Sequence, residues 1–273
     1  MGTRRTLLDY CEALDAAAIH RLLALGVPLT EVNERDINGQ TPLHYLCACP
    51  PPPPTSTPRN EDMRVACITR LLNAGADVNA IDDHFSQTPL MLASGMTLSG
   101  GGAMPMPKVV ATLIAAGADL QYNRWRVLYA ANSAVSSAAE CSCYFSGHDA
   151  YRRKATVVIN LLLAAGADVR GHLLHNLSLR RCNVTHSVYT DSRNYFPDAS
   201  VMAILLRAGA TLTDHPKAQM HPFLRKVLEA GGYETYQKNC INSLAATLAP
   251  KFSWLPADVI PKIVVFAFNP GLY

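Results

Sequence analysis

Charge is scarce in this 273-residue chain: Asp, Glu, Lys and Arg together make up 16% of it, and aromatic residues only 7%. The 24 basic and 21 acidic side chains leave a formal net charge of +3, and the bases form no run longer than pairs such as Arg152-Arg153. A nucleic-acid groove needs a basic stripe, so nucleic acid is not an expected partner. Uninterrupted apolar runs are missing as well. The longest candidate, Val157 to Ala167, contains Asn160 and Gly166 and is closed by Lys154 and Asp168, short of the roughly 18 residues a membrane helix requires. The Gly100-Gly101-Gly102 stretch lacks the Gly-Lys-Ser/Thr ending of a phosphate-cradling loop. No Ser/His/Asp or Cys/His set stands out either, so neither catalysis nor a cofactor is expected.

The opening Met1 to Asp9 has too short an apolar stretch for a secretory leader. The expectation is a cytoplasmic chain, with the nucleus also open to it. Met1-Gly2-Thr3-Arg4-Arg5-Thr6 does fit an acylation pattern at Gly2, but Thr6 ahead of Leu7-Leu8 is accounted for equally well as a helix cap. The eight cysteines are irregularly spaced and are expected to be free thiols in a reducing compartment. Cys141-x-Cys143 and Cys182-x-x-x-His186 offer four soft ligands. Cys-x-Cys is not the usual zinc spacing, however, so no metal is assigned to them and their thiols are expected to be solvated.

What the chain does have is 49% apolar residues, enough for a sizeable core, and internal repetition. Leu-Leu-Asn-Ala-Gly-Ala-Asp-Val at 71–78 recurs as Leu-Ile-Ala-Ala-Gly-Ala-Asp-Leu at 113–120, Leu-Leu-Ala-Ala-Gly-Ala-Asp-Val at 162–169 and Leu-Leu-Arg-Ala-Gly-Ala-Thr-Leu at 205–212, with a weaker copy at 22–29. Helical apolar spacing precedes each copy, as in Val65, Ile68, Leu71 and Leu72. The glycine that follows can take positive φ and end the helix, and the Asp and Asn beyond it favour a turn. Thr41-Pro42-Leu43-His44 and Thr88-Pro89-Leu90-Met91 then start new helices, with Thr as N-cap and Pro at the first helical position. The histidine is placed to bond a neighbouring turn.

Thr-Pro-Leu-His combined with Gly-Ala-Asp-Val-Asn resembles the ankyrin repeat, over roughly Thr6 to Gly232. The resemblance implies an all-α solenoid of about five to six helix-turn-helix repeats. The glycines at 26, 75, 117, 166 and 209 lie more than forty residues apart, beyond the family period of about 33. The surplus is assigned to loops between the two helices of a repeat: Pro50–Pro58, Ser99–Pro107, Ser136–Arg153 and Arg180–Ala199. Pro and Gly runs keep such loops solvated. In repeats four and five, 124–131 and 172–176 stand where Thr-Pro would be.

An ankyrin stack implies a concave face that binds a protein. The contact candidates on it are Asp36, Asn38, Asp82, Asp83, His84, Tyr122, Arg124 and Trp125 at turn tips, with Tyr45, Met91 and Tyr129 from first helices. Asp82 and Asp83 also read simply as turn formers, and Trp125 equally as a structural residue.

The repeats span 1–232, and residues 233–273 form a short helical box. There Trp254-Leu255-Pro256 leads into Val259, Ile260, Ile263, Val264 and Phe266 along one side of a helix, with Pro261 in its first turn. This string resembles an F-box, and more closely the PRANC tail that follows ankyrin repeats in poxvirus proteins. The resemblance implies docking to the Skp1 adaptor of cullin-1 ubiquitin ligases. Ser243-Leu244 with a later Leu-Pro also resembles a SOCS box, which implies elongin and cullin-5, although the expected Cys is absent. A plain cap on the stack fits the same residues. Two functions follow: a substrate-recruiting subunit of a ubiquitin ligase, or a stand-alone scaffold or inhibitor that occludes its partner.

Overall fold

The computed structural model describes residues 5–48, 59–95, 103–122, 134–144, 149–169, 199–210, 222–256 and 258–267. Among them all regular structure is helical. The chain divides into two units: the first contains the helices up to residue 164, and the second those from 199 onward.

Among the described residues the first unit repeats one hairpin four times. The pairs are α1 (Leu7–Glu12) with α2 (Ala16–Ala24), α4 (Pro42–Cys47) with α5 (Arg59–Asn73), α6 (Pro89–Ala93) with α7 (Pro107–Ala115), and α8 (Ala134–Tyr144) with α9 (Asp149–Ala164). A single turn, α3 (Leu29–Val32), follows the first pair. First helices stack in the order α1, α4, α6, α8, and second helices in the order α2, α5, α7, α9. Each hairpin therefore covers the apolar face its neighbour leaves open, which gives the all-helical solenoid that the repetition implied. Leu71, Leu113 and Leu162, equivalent residues on successive second helices, are fully buried. Each contributes about 1.5–3 kcal/mol of apolar burial.

The second helices end in one way. Gly75 sits at φ +93°, its N–H donates to the Leu72 carbonyl at 3.0 Å, and the Ala76 N–H reaches back to Leu71 at 3.0 Å. This is a Schellman closure, which a left-handed glycine permits without a Cβ clash. Ala118, Ala167 and Ala210 repeat the long backward bond. First helices start at Thr41 and Thr88, and the Thr88 hydroxyl accepts from the Met91 N–H at 3.3 Å. Thr6 caps α1 reciprocally with Asp9: the Thr6 N–H donates to the Asp9 carboxylate at 2.7 Å, and the Asp9 N–H to the Thr6 hydroxyl at 3.4 Å.

Three sequence expectations need correction. Ser136–Arg153 is not a solvated insertion, because α8 and the start of α9 occupy it. In α8, Ala134, Val135, Ser136, Ser137, Ala138, Ala139 and Cys141 are all buried. Small side chains let the helix lie close to its neighbours, but their weak apolar periodicity hides it in the sequence. The Ser99–Pro107 insertion is also not wholly solvated. Ala103 and Met106 are buried, and their N–H groups bond the Gly95 and Ala93 carbonyls at 2.8 and 2.9 Å; Pro107 belongs to α7. The Cys141 thiol is buried, not solvated, while Cys11, Cys47, Cys67 and Cys240 are unbridged thiols as expected.

The second unit holds α10 (Ala199–Arg207), α11 (Pro222–Glu229), α12 (Tyr233–Leu248), a 3-10 turn at Ala249–Phe252 and α13 (Val259–Ala267). Helix α12 is its spine, in contact with α10, α11 and α13. Ala245 of α12 buries Ile260 and Val264 of α13, flanked by Ile241, Leu248 and Leu255. No helix among the described residues is long and apolar enough to cross a membrane.

Candidate protein-interaction surface

Among the described residues two turns project between successive hairpins of the first unit, and both are organised by an aspartate. Asp36 accepts from the N–H groups of Asn38 and Gln40 at 2.9 and 2.7 Å through one oxygen, and from the Tyr45 hydroxyl at 2.9 Å through the other. Burial and this bond push the Tyr45 phenol well above its ordinary pKa. In the next turn Asp82 accepts from Phe85 at 2.6 Å, Ser86 at 3.1 Å and Gln87 at 3.1 Å. This turn is one residue longer, and Ser86 absorbs the extra residue at φ +52°. Both aspartates close their own turn in a main-chain bond, Asp36 with Gln40 and Asp82 with Gln87.

The two turns are joined to each other. Arg35 donates to the Ile81 carbonyl at 2.8 Å and pairs with the Asp83 carboxylate at 2.9 Å. The Asp83 N–H donates to the Asn38 carbonyl at 2.8 Å. The pair is more than two-fifths exposed on both sides and is worth at most about 1 kcal/mol. Its effect is to hold Ile37, Ile81 and His84 on one joined edge. Ile37 is 99% exposed and Ile81 37%; the His84 ring meets Phe85 edge-on at 4.2 Å.

Beneath the tips, successive repeats are clamped by amide side chains. Asn33 donates to the Gly75 carbonyl at 3.0 Å and accepts from the Asp77 N–H at 2.8 Å. Asn79 does the same to Gly117 and Asp119 at 3.4 and 2.7 Å, and Gln121 to Gly166 and Asp168 at 2.9 and 3.1 Å. His44 adds a buried link. Its Nδ1 accepts from the Thr41 N–H at 3.1 Å, and its Nε2 lies 3.2 Å from the Gln87 carbonyl of the next repeat. Burial holds its pKa below the ordinary value, so the ring is neutral with the proton on Nε2.

The candidates therefore separate. Asp83 and His84 are exposed at the tips, while Asn38, Tyr45 and Tyr122 are half-buried. Asp82 and Met91 are each 1% exposed and cannot touch a partner: the Asp82 carboxylate is taken up by its own turn, and Met91 packs inside the stack. Asp36 is likewise a turn organiser. Arg124, Trp125 and Tyr129 lie outside the described residues, as do Cys182 and His186. Cys141, from the zinc quartet, is buried and donates its S–H to the Ala103 carbonyl at 2.8 Å. Burial raises the Cys11 thiol to about 12, which keeps it protonated at neutral pH. No group of three metal-ligating side chains occurs among the described residues.

The sequence reading missed Arg35, Ile37 and Ile81. It also missed Arg64, a buried guanidinium that donates to the Leu46 and Ala48 carbonyls at 2.6 and 2.9 Å and so finishes α4.

In the second unit, α13 begins at Val259, not at Leu255-Pro256, with Pro261 in its first turn. Of the box residues, Ile260 and Val264 are core, whereas Trp254 is 76% exposed, Ile263 45% and Val265 46%. Pro256 is exposed, and Leu255 and Val259 are half-buried. The side chain of Phe266 lies outside the described residues.

Residues 38–83 match the family model "Ankyrin repeat", a stretch that runs from Asn38 in the first turn, through His44, to Asp83 at the start of the second. This segment is an ankyrin repeat, and the ankyrin fold is a protein-interaction scaffold. Among solved structures, the ankyrin repeat domain of human ASB11 matches at 20% identity over 76% of this chain and 71% of its own, with a TM-score of 0.44. No curated protein matches the chain.

Proposed function

We propose that the protein is a recruiting subunit of a ubiquitin ligase, in which the joined tips take a protein target and the C-terminal tail docks an adaptor of the Skp1 or the elongin type. The observation that carries the second half is the tail's exposed apolar set. Trp254 and Phe252, with ring centroids 6.4 Å apart, stand in solvent beside a helix that also exposes Ile263 and Val265. Exposed aromatic anchors of this kind are characteristic of binding surfaces.

Two variants test the adaptor role without disturbing the core: Trp254→Ala and Ile263→Asp. The full chain is co-expressed with Skp1 and cullin-1, or with the elongins and cullin-5. One set is expected to copurify with the unaltered chain and to be lost in both variants at unchanged helicity. Ile260→Asp is unsuitable, because Ile260 is 4% exposed and packs on α12. If neither set copurifies, the tail is a cap and the ligase reading fails. The second reading is then a stand-alone scaffold or inhibitor that binds and occludes its partner.

A further inference from the structure

The first of the two joined turns contains Asn38-Gly39, and no other asparagine in the chain precedes a glycine. Such a pair is prone to an internal reaction, in which the next main-chain nitrogen attacks the asparagine side-chain carbonyl, because glycine has no Cβ to obstruct the approach. Here the fold requires the glycine. Gly39 lies at φ +74°, and a Cβ on it would run into the Asp83 and Arg35 side chains. Asn38 is under no such constraint. Leu14 and Ser86 are the non-glycine residues among those described that take positive φ, so Asn38 does not need the left-handed conformation that asparagine tolerates. The bonds that the turn draws from it are main-chain ones: its N–H donates to Asp36 Oδ1 at 2.9 Å, and its carbonyl accepts from the Asp83 N–H at 2.8 Å.

The reacting nitrogen is restrained by the turn. Its N–H donates to the Asp36 carbonyl at 3.0 Å, the Asp36 N–H closes the turn on the Gln40 carbonyl at 3.0 Å, and the Arg35 and Asp83 side chains lie against the glycine. Attack on Asn38 therefore requires the turn to open and the contact between the two tips to loosen. An exposed ion pair such as Arg35–Asp83 is a weak latch against that opening.

We propose that Asn38 is a self-modification site guarded by the contact between the tips, and that its conversion to isoaspartate separates them. The Gly39 nitrogen gives up its proton and bonds to Asn38 Cγ; the Cγ–Nδ2 bond breaks, and the amide leaves with that proton as ammonia. Water then opens the cyclic imide at the former main-chain carbonyl. Its hydroxyl stays on that carbon, which becomes a carboxylate, and its proton returns to the Gly39 nitrogen, so the chain now runs through Cβ and Cγ. One CH2 is thereby inserted between Asn38 and Gly39, inside a turn closed by the Gly39–Asp36 and Asp36–Gln40 bonds. A new anion also stands where the carbonyl met the second tip, near the carboxylates of Asp36 and Asp83. The inference concerns the tips alone and does not depend on the ligase reading.

The test incubates the full chain at mildly alkaline pH and follows each asparagine by peptide mass mapping, with isoaspartate located by enzymatic methylation. Asn38 is expected to convert ahead of Asn33, Asn73 and Asn79. In Asp83→Ala it should convert faster by about two- to fivefold, the factor that corresponds to losing an exposed ion pair. After return to neutral pH, converted chains should lose hydrogen-exchange protection at the Gln40 and Asp83 amides, while the Ala76 amide at the end of α5 keeps it. Asn38→Ser, carried through the same incubation, should keep all three. An Asn38 that stays an amide in the folded chain while the guanidinium-unfolded chain converts it, a rate indifferent to Asp83→Ala, or converted chains with Gln40 and Asp83 still protected would each overturn the proposal.

Discussion

The amide clamps between repeats make the sharpest test of how the stack is held. Asn33→Ala removes two inter-repeat bonds, the donor to Gly75 at 3.0 Å and the acceptor for the Asp77 N–H at 2.8 Å. A net intramolecular hydrogen bond contributes about 0.5–1.5 kcal/mol. Solvent reaches both bonds and takes part of their place, so the expected loss is about 1–2 kcal/mol in urea unfolding of the first unit. Asn79→Ala should cost less, because its bond to Gly117 is stretched to 3.4 Å. The two sites meet at Asp77, whose N–H is held by Asn33 and whose carboxylate accepts from the Asn79 N–H at 2.9 Å, so a double-mutant cycle should return a coupling of about 0.5 kcal/mol or more. Amide hydrogen exchange gives the direct readout. In Asn33→Ala the Asp77 amide should lose protection while the Asp119 amide, held by Asn79, keeps it. Unchanged protection at Asp77, or a stability loss below about 0.3 kcal/mol, would show that the clamps are incidental to the stacking and that apolar burial alone sets the register.

The His44 ring is neutral in the folded chain with its pKa below the ordinary 6.5 or so, so the unfolded state binds the proton first. Stability should be at its full value above about pH 6.5 and fall as the pH drops from there toward the folded-state pKa, by at most about 1.4 kcal/mol per pH unit; His44→Gln should flatten that part of the pH profile. Arg64→Met leaves the Leu46 and Ala48 carbonyls without their buried donor and should cost about 2–4 kcal/mol in denaturant unfolding. Gly39→Ala combines a φ of +74° with a Cβ placed against the Asp83 and Arg35 side chains. It should lower stability by about 1–2 kcal/mol, and Asp83→Ala in the same chain should recover part of that by removing the obstacle. Ile37→Asp should leave the melting temperature within about 1 °C, since the side chain is 99% exposed, and yet abolish target capture in a pull-down if the joined tips are the recognition surface.

Features with a fixed local chemistry were readable in the residues. Gly75, Gly117 and Gly166 follow an apolar turn and take positive φ, because the helix end needs a residue without a Cβ at that point. Thr-Pro started α4 and α6 for an equally local reason. The bond from His44 to the next turn was also foreseeable. Pairings made by side chains outside any recognisable motif were not. Nothing local tells that Asn33 reaches Gly75, or that Arg64 turns back onto the end of α4. Helix α8 escaped notice because Ala, Ser and Cys give a weak apolar rhythm, even though close packing suits them. At the tips the usual assumption failed twice. Ile37 is an apolar residue that the fold leaves in solvent, and Asp82 is a charged one that it buries, because three turn amides satisfy its carboxylate.

These misses bear on where specificity resides. The residues that repeat, Gly75 with Ala76 and their equivalents, are spent on closing helices and stacking hairpins. The clamps tie main chain to main chain at the base of each turn, so the tips above them can change side chain without loosening the stack. Ile37, Ile81, His84 and the Arg35–Asp83 pair sit above the clamps, and no core contact needs their identity. The same holds in the second unit, where Ile260 and Val264 secure α13 while Trp254, Ile263 and Val265 are left to solvent. In both units, then, the residues that secure the fold are buried, and those left to solvent are not needed by it. Substitutions on the outer side should therefore change binding at little cost in stability, and those on the inner side should do the reverse.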